Sequence, residues 1–174
     1  MPGNEATSSA GVAVSFDLPL ASDEGGIASE SCDPASGLTF ALGTTTVTCT
    51  ATDAAGNSAS VHFDIGVVDT TPPVIALTGG DLTLAFGDTF ADLGYAANDV
   101  VDGTVAVAVG GAVDISTAGE YTLTYDATDA AGNRAIQQTR IVTVFPAAEV
   151  VASPTPSGGN GAPVGLYGTI NTVV

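Results

Sequence analysis

The stretch Ala51-Thr52-Asp53-Ala54-Ala55-Gly56-Asn57 recurs, residue for residue, as Ala127-Thr128-Asp129-Ala130-Ala131-Gly132-Asn133, at an offset of 76. Working outward, the same offset relates Asp23 to Asp99, Gly43 to Gly119, Thr46 to Thr122 and Thr48 to Thr124 without a gap. A fixed period of this size signals tandem copies of one fold. The 174 residues therefore divide into a first domain over 1–70, a second over 71–146 and a tail over 147–174.

Each copy reads as strands. In the first, Val12, Val14 and Phe16 alternate with Ala13, Ser15 and Asp17, and Val47, Cys49 and Ala51 alternate with Thr48, Thr50 and Thr52. Val61, Phe63, Ile65 and Val67 share one face. In the second, Tyr121, Leu123, Tyr125 and Ala127 alternate with Thr122, Thr124, Asp126 and Thr128. Period two carried by β-branched and aromatic residues is the mark of half-buried strands. Short strands broken by Gly, Asp, Asn and Pro predict an all-β chain of two tandem β-sandwiches with an extended C-terminal arm.

Between the copies runs Val68-Asp69-Thr70-Thr71-Pro72-Pro73-Val74-Ile75. The two prolines cannot donate to a ladder and stiffen the connection, so a semi-rigid rod is expected. After Phe145-Pro146 the content shifts to the linker Ser153-Pro154-Thr155-Pro156-Ser157-Gly158-Gly159-Asn160-Gly161. Beyond it, Val164, Leu166, Ile170 and Val174 read as one more strand. The first copy starts too late to hold a counterpart of Val74–Leu77, which predicts an open sheet edge there. An arm that docks on that edge of a neighbouring subunit would give a ring or a filament.

Composition narrows the function. Nineteen acidic against two basic residues give a formal net charge of -17, and the cations are Arg134 and Arg140. Nucleic-acid binding, which needs a basic surface to release counterions from phosphate, is excluded. An anionic membrane surface is disfavoured for the same reason, and no apolar run reaches the roughly 18 residues of a membrane span. The first residues show neither the basic nor the apolar region of a secretory signal. Two cysteines in a lysine-free β-type chain suggest a disulfide and an oxidising compartment, two buried thiols being the alternative.

Residues 11–75 resemble a hyalin-repeat (HYR) domain, an immunoglobulin-like module of extracellular proteins. The resemblance rests on Cys32-x-Pro34-x-Ser36-Gly37, Phe40-x-Leu42-Gly43-Thr44-Thr45-Thr46-Val47-x-Cys49, Ala51-x-Asp53-x-x-Gly56-Asn57 and Asp69-Thr70-Thr71-Pro72-Pro73. It implies that Cys32 and Cys49 are the family's bonded pair. Residues 72–145 are similar to bacterial immunoglobulin-like surface domains, through Pro73-Val74-Ile75, Gly87-Asp88-Thr89-Phe90, Asp99-x-x-Asp102-Gly103 and Gly119-Glu120-Tyr121-Thr122-Leu123-Thr124-Tyr125. Both resemblances imply that the two sandwiches are immunoglobulin-like, and that they are structural, adhesive or spacer modules rather than enzymes.

Asp53 and Asp129 each close a strand and open a turn ended by Gly-Asn. One reading has the carboxylate accepting backbone N–H groups across that turn. The other is calcium, which takes six to eight oxygen ligands. In an immunoglobulin-like topology the loops bearing Asp99, Asp102 and Asp129 reach the end where the linker with Asp69 enters, so those four carboxylates form a candidate calcium set at the junction. Asp23, Glu24 and Asp53 sit at the outer end of the first copy. His62, two residues from Asp64, reads as an exposed strand residue, because no nucleophile elbow accompanies it. One histidine and two paired cysteines do not make a zinc site, and two small sandwiches offer no cleft for a carboxylate pair. Tyr121 and Tyr125 fall on the inward phase, as core residues with hydrogen-bonded phenols.

The expected protein is thus a non-enzymatic extracellular module, a subunit or spacer of a cell-surface fibre or a virion that associates with other proteins or with itself. The alternative is a ligand- or carbohydrate-binding adhesion module from a large surface protein. Aromatic residues at 6% and the absence of tryptophan argue against stacked sugars.

Overall fold

The computed structural model describes residues 3–146; the arm predicted for 147–174 lies outside the described residues. The first repeat contributes β1 (Asn4–Glu5), β2 (Val12–Ala13), β3 (Ile27–Asp33), β4 (Thr39–Phe40), β5 (Gly43–Asp53) and β6 (Ser58–Val68). The second contributes β7 (Val74–Leu77), β8 (Leu82–Ala85), β9 (Tyr95–Asp99), β10 (Gly103–Val105), β11 (Val107–Gly110), β12 (Gly119–Ala127) and β13 (Gln138–Phe145). No helix occurs among the described residues. The fold is all-β: two immunoglobulin-like sandwiches in tandem.

In the second sandwich a sheet ordered β10-β9-β7 faces one ordered β11-β12-β13-β8. Ile75 and Ala97 from the first sheet pack on Leu123, Tyr125, Ala127 and Val142 from the second, the alternate positions that the sequence period marks as inward. β8 lies parallel to β13 while every other pairing in this repeat is antiparallel. Arg140, a cation on the buried face of β13, is 1% exposed and ion-pairs with Asp92. Tyr125 donates from its hydroxyl to the other oxygen of Asp92 at 2.5 Å. Burial pushes the Tyr125 phenol up to about 12, helped by its hydrogen bond to Asp92. Burial opposes ionisation of Asp92, but the hydrogen bonds from Tyr125 and the Gly94 N–H and the charge of Arg140 prevail and lower its pKa. A buried arginine is tolerable only when paired in this way.

The first sandwich repeats the large sheet, in the order β1-β6-β5-β3, with β1 parallel to β6 as β8 is to β13. Cys32 and Cys49 are directly opposed across β3 and β5 and form the disulfide. The facing layer is reduced to the β2–β4 pair. The strand expected over 12–17 pairs only at Val12 and Ala13. Val14 and Phe16 stay inward by other bonds: the Val14 N–H donates to the Leu38 carbonyl, and the Phe16 N–H to the Ser36 hydroxyl. Phe16 then meets Phe63 edge-on, with ring centroids 5.0 Å apart. Residues 19–23, the counterpart of β9 at the offset of 76, belong to no strand, and Leu20 is fully exposed.

Burial along β5 and β6 therefore falls away from the junction. Val47, Cys49, Ile65 and Val67 are buried, Phe63 and Ala51 only in part, and Val61 is exposed. Ala127, identical to Ala51 in sequence position within the repeat, is buried beneath the second sandwich's complete facing sheet.

Candidate site at the domain junction

The linker crosses between the sandwiches under local control. Glu5 of β1 accepts hydrogen bonds from the Thr70 N–H (2.9 Å), the Thr70 hydroxyl (2.6 Å) and the Thr71 hydroxyl (2.8 Å). The hydrogen bonds from Thr70, then Thr71, hold its carboxyl below the usual carboxylate range. From the other side, Asn133 donates its side-chain amide to the Asp69 carbonyl at 3.1 Å. Val101, in the turn between β9 and β10, is buried within the core cluster of the first sandwich, with Ala6, Phe40 and Val67.

Around this linker the carboxylates of Asp69, Asp99 and Asp102 converge, offering one oxygen each within 4.8 Å of one another. Asp69 and Asp99 are 8% and 9% exposed; Asp102 reaches solvent. Each carboxylate commits an oxygen to the backbone. Asp69 Oδ1 accepts the Thr71 N–H, Asp99 Oδ1 accepts the N–H groups of Val101 and Asp102, and Asp102 Oδ2 accepts the Ala130 N–H. Asp99 Oδ2 is buried with no partner. Burial, reinforced by the negative charges of Asp99, Asp129 and Glu5, raises the Asp69 pKa.

Asp129, the fourth residue of the predicted set, stands beside the trio rather than within it. Its Oδ1 accepts the Asn133 N–H at 2.7 Å and its Oδ2 accepts the Asn133 side-chain amide at 2.8 Å. Asp53 makes the same turn in the first repeat, with Asn57 N–H and side-chain bonds of 2.8 Å each. The turn chemistry read from the sequence thus operates in both copies. At the outer end Asp23 accepts the Gly25 N–H at 2.7 Å.

The remaining sequence candidates fall into ordinary structural roles. His62 is exposed and its Nδ1 lies 2.9 Å from the Thr48 hydroxyl across the β5–β6 ladder, while Asp64 accepts from Thr46 instead. Tyr121 donates to the Thr117 carbonyl at 2.7 Å. Glu5, Val101 and Asn133 are the junction residues that sequence reasoning missed. Of these only Asn133 carried a signal, as the second member of a repeated asparagine.

Comparison with known proteins agrees with this architecture. Residues 5–67 match the HYR domain family, and residues 75–144 match the family described as bacterial surface protein, Ig-like domain. The first repeat is thus similar to HYR domains and the second to bacterial surface Ig-like domains. The chain is 31% identical over 148 residues to hyalin of Strongylocentrotus purpuratus, covering 78% of this chain and 12% of that protein's length. Among solved structures, a lipoprotein of Bacteroides thetaiotaomicron is similar with 29% identity and a TM-score of 0.39, over 47% of this chain and 40% of the other. A three-repeat fragment of a mouse clustered protocadherin has 14% identity and a TM-score of 0.36, over 83% of this chain and 66% of the other. The two matched family models point to a surface adhesion domain, and the chain spans about an eighth of the length of hyalin. No helix among the described residues is long and apolar enough to cross a membrane.

Proposed function

We propose that this protein is a non-enzymatic structural subunit or spacer of a larger surface assembly, a cell-surface fibre or a virion, and that copies join when the C-terminal segment of one covers the first sandwich of the next. The observation that carries this reading is the contrast between Ala51 and Ala127. The same alanine is buried where β7 and β9 complete the facing layer and half-exposed where residues 19–23, the counterpart of β9, form no strand. A groove of about 310 Å³ remains there, lined by Leu18, Leu20, Ile27, Cys49, Ala51 and Val61. These apolar side chains are interspersed with polar ones such as Glu30, Thr50 and Asn57, and no aromatic ring among the described residues lines the groove, which fits the alternate side chains of a strand better than the face of a sugar ring. The backbone of residues 20–22 lies in no ladder and is available to pair with an incoming strand.

The occupant is residues 164–174 of another copy. Val164, Leu166, Ile170 and Val174 all lie on even positions, hence on one side of an extended strand. At about 3.3 Å per residue these eleven positions span roughly 36 Å, the length of the eleven-residue strands β5 and β6 that they would cover. The test compares the full chain with a variant lacking residues 153–174, by light scattering and negative-stain microscopy. The full chain is expected to form oligomers or filaments and the truncated chain to remain monomeric and to bind a peptide of residues 162–174. Assembly unchanged by the truncation overturns the reading.

A further inference from the structure

We infer that Asp69, Asp99 and Asp102 hold a calcium ion that fastens the two sandwiches at their junction. The three carboxylates come from three separate places in the chain: the linker, the end of β9 and the turn after it. Three negative charges gathered within 4.8 Å, two of them withdrawn from solvent, repel one another unless something positive lies between them. Neither arginine serves. Arg140 is committed to Asp92 inside the second sandwich, and Arg134 makes no ion pair among the described residues.

The second observation is the bare oxygen. Asp99 is more than nine-tenths buried and its Oδ1 is saturated by two backbone N–H groups, yet Oδ2 has no donor at all. A buried carboxylate oxygen without a partner is costly, and here it belongs to one of the three converging carboxylates. The remaining oxygens of Asp69 and Asp102 likewise accept no hydrogen bond among the described residues. Each acid is thus held by one oxygen and keeps the other free of hydrogen bonds among the described residues.

All three donors are carboxylate oxygens, the hard ligands that calcium takes in a flexible shell at about 2.3–2.6 Å, whereas magnesium demands a near-ideal octahedron at about 2.0–2.1 Å. Irregular loops from two domains, with Asp102 open to water, suit the more permissive shell. Water completes the six to eight ligands. Asp129, held by Asn133, adds negative potential from just outside. An affinity in the range of about 10⁻⁴–10⁻³ M is expected for an extracellular module of this kind.

The experiment uses the full chain stripped of metal, with calcium chloride as the probe, followed by equilibrium dialysis and by thermal melting against a chelator control. One ion per chain and a melting temperature raised by about 3–6 °C at 10 mM calcium are expected. Asp99→Asn keeps the Oδ1 acceptor while losing charge, and should weaken binding at least ~10-fold while melting no lower than wild type in chelator. Should Asp99→Asn fail to fold, the exposed Asp102→Asn decides by the same criterion. Asp53→Asn, in the outer turn, should keep the full response. No binding up to 10 mM calcium (about tenfold above the weakest expected constant), or unaltered binding by both Asp99→Asn and Asp102→Asn, overturns the inference. Neither result bears on whether residues 164–174 link copies of the chain.

Discussion

Asn133 donates its side-chain amide both to the Asp129 carboxylate and, 64 positions away in sequence, to the carbonyl of Asp69. Its counterpart in the repeat, Asn57, makes the first of these bonds to Asp53. One repeated turn has thus been recruited to grip the linker while its twin only shapes a hairpin.

That asymmetry gives a paired test. Asn133→Ala should destabilise the chain by about 1–2 kcal/mol more than Asn57→Ala, since it also strips the buried linker carbonyl of its donor. Urea unfolding of the two variants, read by circular dichroism, checks the difference; equal losses would mean that the bond to Asp69 contributes nothing.

Val101 offers a second probe of the junction. Although it lies in the second repeat, it is buried in the first sandwich's core beside Phe40 and Val67. Val101→Ala should cost about 2 kcal/mol, and the loss should couple with that of Val67→Ala. Additivity in the double-mutant cycle would show that the two side chains do not share one cavity.

The disulfide between Cys32 and Cys49 closes a separation of 17 residues. On the chain-entropy account it stabilises the first sandwich by about 3 kcal/mol. Alkylation without reductant should leave the intact mass unchanged, and a Cys32→Ser, Cys49→Ser double variant should unfold at correspondingly lower urea.

The cluster of Asp92, Tyr125 and Arg140 predicts how stability varies with pH. Asp92 has a folded pKa below its unfolded value, so its contribution is present above the ordinary aspartate range and is lost as pH falls through the folded value. Tyr125 is raised from 10.0 to about 12; its contribution is intact below pH 10 and disappears between about 10 and about 12, on the order of 2 kcal/mol. Asp92→Ala should remove the Tyr125 hydrogen bond and strand the buried guanidinium, at roughly 3–5 kcal/mol. Unfolding free energies measured from pH 3 to 12 check both limbs. An alkaline limb as steep in Tyr125→Phe as in wild type would refute the assignment of Tyr125.

The legible parts of the fold were those whose information is local. Period two along 47–52 and 121–128 marked β5 and β12, and the Asp-to-Asn turn could be read twice because its donors lie within four residues of its acceptor. Asp69, Asp99 and Asp102 could be brought together from topology alone, because sandwich loops gather at known ends. Glu5 could not: its partners, Thr70 and Thr71, lie 65 and 66 positions away, and a glutamate near a parallel strand end has no local signature. Val101 was hidden for a related reason, since its hydrophobicity is satisfied by the other domain. Asp129, the fourth residue read from the loops, is not among the three carboxylates that converge, and Asn133, four residues on, donates to both its oxygens.

Arg140 is one of two cations against nineteen acids, and it is sealed inside the second sandwich against Asp92. The outside of the molecule is left almost purely anionic, so two copies in dilute buffer behave as like-charged polyelectrolytes. Crowding them on a surface requires small mobile cations to condense between them, which makes ionic strength, rather than any single side chain, the control on how densely these modules can be packed.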